Sequence, residues 1–386
     1  MNTTLCYLDN AATSFPKPSA VCREVTRCMI QYCGNAGRGS HRLALRAAEK
    51  IYECRELISS LINAPSEEHV IFVPSCTYGL NLIIKGLLSQ GDHVLISDME
   101  HNAVWRPIER LKREGIITYD TFCALGDRAQ DDDALLNGIK KKLRKNTKLL
   151  ICTHSSNVCS YSLPVAKIGE LCKNNHILFA LDVAQTIGHY KIDMQNMNIN
   201  FLSAPSHKGL LGPQGSGFIA INSKELPNTL IEGGNGVFSL DPTMTDILPE
   251  RYEAGTMPLP CIAGLCEGIK YLFKYGIDAV QSHERKLYRL LRDELLNMSL
   301  AEVYAPEFEG NTLLFNLQGI PPERVCASLD ENGICVRGGF HCAALAHASL
   351  GTEKTGAIRA SFSINNTEKD VFRLVDALNR IKNDPS

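Results

Sequence analysis

The chain has 386 residues, too many for one ordinary core, so two or three domains are expected. Hydrophobic residues make up 44% and charged residues 21%, a globular balance that excludes long disorder and fibrous structure. Forty basic against forty-two acidic residues leave a formal net charge of -2, which favours neither nucleic acid nor a membrane surface as partner.

In chain order, helices are predicted over 19–33, 41–62, 78–89, 103–114, 131–144 and 164–174. Short apolar runs separate or follow them: Val70–Val73, His93–Ser97, Ile116–Tyr119, Lys148–Thr153, Ile177–Asp182, Phe201–Ser203 and Gly217–Ile221. Several are too short for helices and lie between turn signals, so they read as buried strands. Strand alternating with helix implies a mostly parallel sheet covered on both faces. The stretch Leu149–Ala166 lacks Asp, Glu, Lys and Arg, but its Ser, Asn, Thr and His content and Pro164 exclude a bilayer span. The run from Lys140 to Lys145 reads as a solvated helix face rather than a docking patch.

After about residue 222 the rhythm changes to a Gly/Pro-rich stretch without periodicity. Helices follow near 261–275 and 277–298, then a strand (Thr312–Leu317), a helix (Pro322–Asn332), a loop around Cys342, a strand (Ala357–Phe362) and a last helix (Thr367–Lys382). The expected division is a large α/β domain over 21–258 and a smaller α+β domain over 259–386 carrying the Cys342 loop. Residues 1–20 are expected to pack with the smaller one.

Fifteen cysteines include no C-x-x-C pair, which excludes a zinc ribbon or a thioredoxin-type motif. The N-terminus lacks a basic region followed by an apolar run, so no signal peptide is expected. The thiols then read as reduced, the compartment as cytoplasmic, and most of the cysteines as small buried hydrophobes.

Six local patterns carry chemistry. Asp182 ends the apolar run ILFALD, where an acid in a parallel sheet meets a ligand or caps the next turn. Lys208 lies after a strand and before a glycine-rich turn, flanked by Ser206 and His207. It is either a surface lysine or an amine able to form a Schiff base, and an acid upstream favours the second. A Schiff-base lysine with an acid for a pyridinium nitrogen is the requirement of pyridoxal phosphate. Ser75-Cys76-Thr77 opens a helix after a strand, as an anion site or an ordinary N-cap. His101 follows the strand HVLIS and can cap a helix, stack on a ring or move protons. Cys342 sits in Arg337-Gly-Gly-Phe-His-Cys-Ala-Ala, a context with little steric cover and the least core-like of the fifteen. Arg359, on an alternating strand, can clamp a carboxylate or form a salt bridge.

Together these motifs resemble the cysteine desulfurase and selenocysteine lyase group of the class V aminotransferases, enzymes of pyridoxal-phosphate fold type I. The resemblance runs through Tyr7–Thr13 (YLDNAAT), Asn35 with Arg38-Gly39-Ser40-His41, CTYGLN, MEHNA, Thr153–Val158, LDVAQ, SHKGLLGPQG, EAGT, RGGFHCA and RASFSINNTEKDV, in order along the chain. The short loop around the cysteine resembles the second subgroup.

The resemblance implies that Lys208 holds pyridoxal 5'-phosphate as a Schiff base and then moves protons. Asp182 would pair with the pyridinium nitrogen, Gln185 with the phenolic oxygen, and His101 would stack on the ring. Thr77, the backbone at Cys76, Ser206, His207 and the partner subunit's Thr256 would hold the phosphate in a homodimer. Asn157 and Arg359, with Arg337 and Ala11, would bind the substrate. Cys342 would take sulfur from L-cysteine as a persulfide, leave L-alanine, and pass the sulfur to an acceptor protein. Selenocysteine lyase, a transaminase or C–S lyase on the same fold, and a non-catalytic scaffold are the competing readings.

Three positions depart from the family pattern. Pro205 stands three residues before the lysine, where members carry Ser or Thr, and leaves Ser206 as the nearest hydroxyl. Gly37 and Phe340 stand where many members have histidine.

Overall fold

The computed structural model describes residues 5–37, 39–126 and 131–383. Arg38, within the N-terminal motif, lies outside the described residues. The chain runs β1 (Cys6–Tyr7), α1 (Ser19–Gln31), α2 (Arg42–Ile62), β2 (Val70–Val73), α3 (Cys76–Leu87), β3 (Asp92–Ser97), α4 (Asn102–Arg113), β4 (Ile117–Phe122) and α5 (Asp132–Lys142). It continues through β5 (Thr147–Thr153), α6 (Val165–Asn174), β6 (Leu178–Asp182), β7 (Phe201–Pro205), β8 (Gly217–Ile221), α7 (Leu259–Tyr275) and α8 (Ile277–Asn297). The last part comprises β9 (Ala301–Tyr304), β10 (Thr312–Leu317), α9 (Pro322–Glu331), β11 (Ile334–Cys335), β12 (Arg337–Gly339), α10 (Ala344–Leu350), β13 (Ala357–Ser361) and α11 (Glu368–Asn383).

Seven strands form the central sheet in the order β2-β8-β7-β6-β5-β3-β4. All neighbours from β7 to β4 pair parallel, while β8 runs antiparallel to both β7 and β2. Two reversals leave β2 parallel to the rest, so only β8 points the other way. Alternation across the pleat divides the apolar side chains between two cores. Leu95, Leu150 and Leu181 face one core, which α1, α2, α6 and α7 complete. Val94, Ile96, Leu149, Ile151 and Ala180 face the other, closed by α3 and α4. Burial on both faces is why these strands read as continuous apolar runs.

Local chemistry sets the helix ends near the site. Ser75 accepts a hydrogen bond from the Tyr78 N–H at 3.1 Å and starts α3. Asp131 accepts from the Ala134 N–H at 2.8 Å and starts α5. Lys140–Lys142 form the last turn of α5, where cations suit the helix dipole. The Gly/Pro-rich stretch before α7 forms no helix or strand.

A second, antiparallel sheet has the order β12-β13-β10-β9 and packs with α8, α9 and α11 around a third core. The N-terminal segment joins it: Cys6 and Tyr7 pair with Ile334 and Cys335, and Asp9 bridges to Ser361. The expected boundary at 258/259 puts α7 with this C-terminal unit. Instead α7 packs on α1 and α2, because Ile262, Leu265, Ile269 and Leu272 complete the first core, and the following Gly276 separates it from α8. Among the described residues no helix is long and apolar enough to cross a membrane.

Gly79 allows α3 to lie directly on β7 and β8. A Cβ there would stand 2.5 Å from both Ser203 Oγ and Ile219 Cγ2. Gly79→Ala is expected to lift the helix N-terminus off the sheet and lower the unfolding free energy by about 1–3 kcal/mol in a urea titration.

Candidate active site

Because β2, β3, β5, β6 and β7 run the same way, their carboxyl ends open on one edge of the sheet, where α/β proteins bind ligands. Each contributes there. Ser75, Cys76 and Thr77 follow β2, His101 follows β3, Thr153 and Asn157 come from β5, Asp182 ends β6, and Pro205, His207 and Lys208 come from β7. With Gln185, these residues line a cavity of about 230 Å³. The sequence-predicted Lys208, Asp182, His101, Gln185, His207, Thr77, Cys76 and Asn157 are thus brought together.

Electrostatics prepare the cavity for a cationic or amine-reactive ligand. Burial lowers the Lys208 pKa, against the opposing pull of Asp182, and so favours the neutral, nucleophilic amine. Asp182 is 3% exposed, and its Oδ1 accepts from the Ala184 N–H at 2.8 Å. His101 caps α4: its Nδ1 accepts from the Ala103 N–H at 3.0 Å, which leaves the proton of the neutral ring on Nε2. Burial pushes His207 down to about 4, with Lys208 and Lys17 adding to the shift. Its Nδ1 is buried without a hydrogen-bond partner.

Glu100 lies just beneath and is wholly buried. Its Oε1 accepts from the Ser97 hydroxyl and from the Thr153 N–H, and its Oε2 has no partner. Burial, and to a smaller degree the charge on Asp182, push its carboxyl up to about 8.

Six expected site residues stand apart from the cavity lining. Ser206 is fully buried, and its hydroxyl donates to the carbonyls of Pro213 and Ser216, the latter at 2.8 Å. That commitment turns it into a support for the lysine loop and corrects the expectation that it replaces the hydroxyl lost at Pro205. Thr256 lines a different hollow, of about 850 Å³, that also includes Gly37, Arg55 and Glu253. Ala11 is held beside the cavity, its carbonyl accepting from Gln185 Nε2 at 3.1 Å. Arg337, Arg359 and Cys342 form a neighbouring cluster.

Asp9 organises that cluster, and sequence reasoning misses it. Its two oxygens accept three hydrogen bonds from Arg337, at 2.7–3.1 Å, while Oδ1 also accepts from Arg359 at 2.9 Å. Arg359 is buried, donates to the Asn157 carbonyl at 3.0 Å, and keeps Nε unpartnered. The usable signal is an acid within an N-terminal apolar run, since a buried acid requires a cation. Asn157 then links the cavity to the thiol loop: its Nδ2 donates to the His341 carbonyl at 2.8 Å. Cys342 is exposed on that loop. Cys22, Cys33 and Cys123 are exposed too, and eight of the fifteen are buried, so exposure alone does not single it out.

The donor set fits pyridoxal 5'-phosphate. A depressed amine, a carboxylate at a strand end, a neutral imidazole and a helix N-terminus with a threonine are the groups that hold its aldehyde, ring nitrogen, ring face and phosphate. The unpartnered His207 Nδ1 supplies a further polar atom with nothing else to bind.

Two measurements check these electrostatics. Between pH about 4.5 and about 8 the folded chain keeps a Glu100 proton that the unfolded chain has released, so this residue's effect on stability falls as pH rises. Glu100→Gln is expected to remove that decline, so that wild type loses urea stability relative to the variant between these pH values. Asp9→Ala leaves the buried Arg359 without its carboxylate and is expected to lower the unfolding free energy by about 3 kcal/mol at neutral pH.

Comparison with known proteins agrees with this geometry. Residues 6–374 match the model of the aminotransferase class-V family. The chain is 33% identical over 383 residues to a probable cysteine desulfurase of Methanothermobacter thermautotrophicus, covering 97% of this chain and 94% of that one. A probable cysteine desulfurase of Staphylococcus aureus is 32% identical, with 98% and 92% covered. Among solved structures, an apo cysteine desulfurase of Thermococcus onnurineus NA1 superposes with a TM-score of 0.89 at 29% identity, covering 98% of this chain and 94% of that one. An Escherichia coli cysteine desulfurase, in an S-sulfonic acid form, superposes with a TM-score of 0.88 at 26% identity, with 99% and 96% covered. The chain belongs to the class-V aminotransferase family, whose members use pyridoxal 5'-phosphate.

Proposed function

We propose that this protein is a pyridoxal-phosphate-dependent cysteine desulfurase, which converts L-cysteine to L-alanine and takes the sulfur onto Cys342 as a persulfide. The observation that carries the reading is Asn157. It lines the lysine cavity and holds the carbonyl just before Cys342, so an exposed thiol is tied to an amine-and-acid site. The full-length likeness to named cysteine desulfurases supports the same choice.

Lys208 would hold the cofactor, and as a buried amine with a lowered pKa it is suited to move the proton at the substrate α-carbon. Bound pyridoxal phosphate supplies an electron sink that stabilises negative charge at that carbon. Asp182 would keep the ring nitrogen protonated, Gln185 would donate to the phenolic oxygen, and His101 would cover the ring. Thr77, the N–H groups at Cys76 and Thr77, and His207 would take the phosphate. The unpartnered Arg359 Nε and Asn157 receive the substrate carboxylate, while Arg337 and Ala11 shape the rim. Cys342 Sγ attacks the substrate sulfur. An S–S bond forms, the substrate C–S bond breaks, and the β-carbon gains a proton. One cysteine and one thiol thus give one alanine and one persulfide.

Thr256 lies on the rim of the large hollow and not in the cavity, which suits a residue that completes a neighbouring subunit's phosphate site in a homodimer. The sulfur acceptor is a second protein that reaches the exposed loop. Fifteen cysteines free of disulfides suit the cytoplasm, where a persulfide-forming thiol stays reduced. The functional division runs between a cofactor-holding unit that includes α7 and a C-terminal unit that presents Cys342.

The test is mass spectrometry after incubation with L-cysteine. One added sulfur atom is expected on the Cys342 peptide, absent in Lys208→Ala. Cys342→Ala is expected to keep the cofactor's visible absorbance and lose cysteine turnover by at least about 100-fold. Unchanged alanine and sulfide production in Cys342→Ala would overturn the persulfide step. Turnover of selenocysteine by Cys342→Ala at the wild-type rate would favour a selenocysteine lyase.

A further inference from the structure

The backbone presenting Cys342 is unusual. His341 and Cys342 have φ of 51° and 54°, two successive non-glycine residues in the left-handed region. L-residues avoid that region, and it persists only where surrounding contacts fix it. The contacts are specific. Asn157 Nδ2 donates to the His341 carbonyl at 2.8 Å, and the Asn102 N–H, at the start of α4, donates to the Cys342 carbonyl at 2.8 Å. Both grip the loop from the cavity side.

From the other side it is gripped by a chain of side chains that the reaction does not use. The His341 ring lies parallel to His347, with centroids 5.3 Å apart and planes inclined by 13°. His341 Nε2 lies 3.1 Å from the Arg337 carbonyl, which can only accept, so Nε2 carries the proton. In the neutral ring Nδ1 must then accept, and the His347 Nε2–H donates to it at 3.1 Å. His347 Nδ1 in turn accepts from the Thr352 hydroxyl at 2.6 Å. Burial, and then the Arg359 guanidinium, push His341 down to about 3 and His347 to about 4, consistent with two neutral rings. The Thr352 N–H donates to the His347 carbonyl at 2.9 Å, and the His347 N–H donates to the Ala343 carbonyl at 3.0 Å. Phe340 packs edge-on against His347 at 5.6 Å.

We infer that His347, seated by Thr352 and acting through His341, is a positioning residue that locks the Cys342 backbone in its left-handed conformation and so aims the thiol at the substrate sulfur. It is not among the residues that line the lysine cavity. The inference rests on the reading of Cys342 as the sulfur-accepting thiol. It concerns geometry, so its effect falls on the sulfur-transfer step and not on proton removal at the α-carbon.

The experiment compares wild type, His347→Ala and His347→Gln as holoenzymes. Gln places an N–H donor near the position of His347 Nε2. In His347→Ala, backbone amide hydrogen exchange over residues 340–343 is expected to quicken at least about tenfold, and kcat for sulfur transfer to Cys342 to fall by about tenfold, with KM within about twofold. Exchange of the α-proton of L-alanine in D2O, which needs no thiol, is expected to match wild type. His347→Gln should restore the loop protection and sulfur transfer to within about threefold of wild type. Unchanged amide exchange in His347→Ala overturns the inference, as does equal damage by both substitutions or a parallel fall in L-alanine exchange. Should wild type itself place no sulfur on Cys342, the functional reading fails, while the amide exchange still decides whether His347 holds the loop.

Discussion

The arrangement depends first on one buried carboxylate. Asp9 enters from the N-terminal segment and binds two guanidinium groups at once, Arg337 from β12 and Arg359 from β13. Desolvating Arg359 is costly, and a charge-assisted contact with Asp9 offsets that cost. The same Arg359 donates to Asn157, a wall of the lysine cavity. Asp9 therefore fastens the second sheet to the edge of the first, and the thiol loop begins at β12 beside it. Remove the carboxylate, and the register between amine and thiol loses its anchor.

Around that anchor the site divides its work between rigid and strained parts. The amine, the acid and the start of α3 sit at the ends of buried parallel strands, where both faces are closely packed. The thiol sits on two successive left-handed residues clamped by Asn157, Asn102 and a histidine pair. That division would suit the proposed reaction, in which a held cofactor meets a thiol brought from another part of the fold. Glu100, wholly buried at the same end of the sheet, has its carboxyl pushed up to about 8, chiefly by burial.

The sequence by itself determined the strands of the central sheet and most helices, because a sheet buried on both faces leaves short apolar runs, and amphipathic helices leave a 3.6-residue period, whereas the short strands β1, β9, β11 and β12 left no such run. It also brought candidate residues to one edge: Asp182 ends a strand, and Lys208, His101 and Thr77 each follow one, so local order already places them together. Tertiary structure alone decided the rest. Nothing local couples position 9 to 337 and 359, so the role of Asp9 is invisible until β1 pairs with β11. The nearest hydroxyl to Pro205 is Ser206 along the chain, yet the turn from β7 commits it to Pro213 and Ser216. Helix α7 follows a long irregular stretch, and only its packed face assigns it to the first core. The opening count of fifteen cysteines did not single out Cys342 either. Burial separates eight of them, and what distinguishes Cys342 from the other exposed thiols is a set of contacts from Asn157, Asn102 and His347 that only a folded chain can bring together.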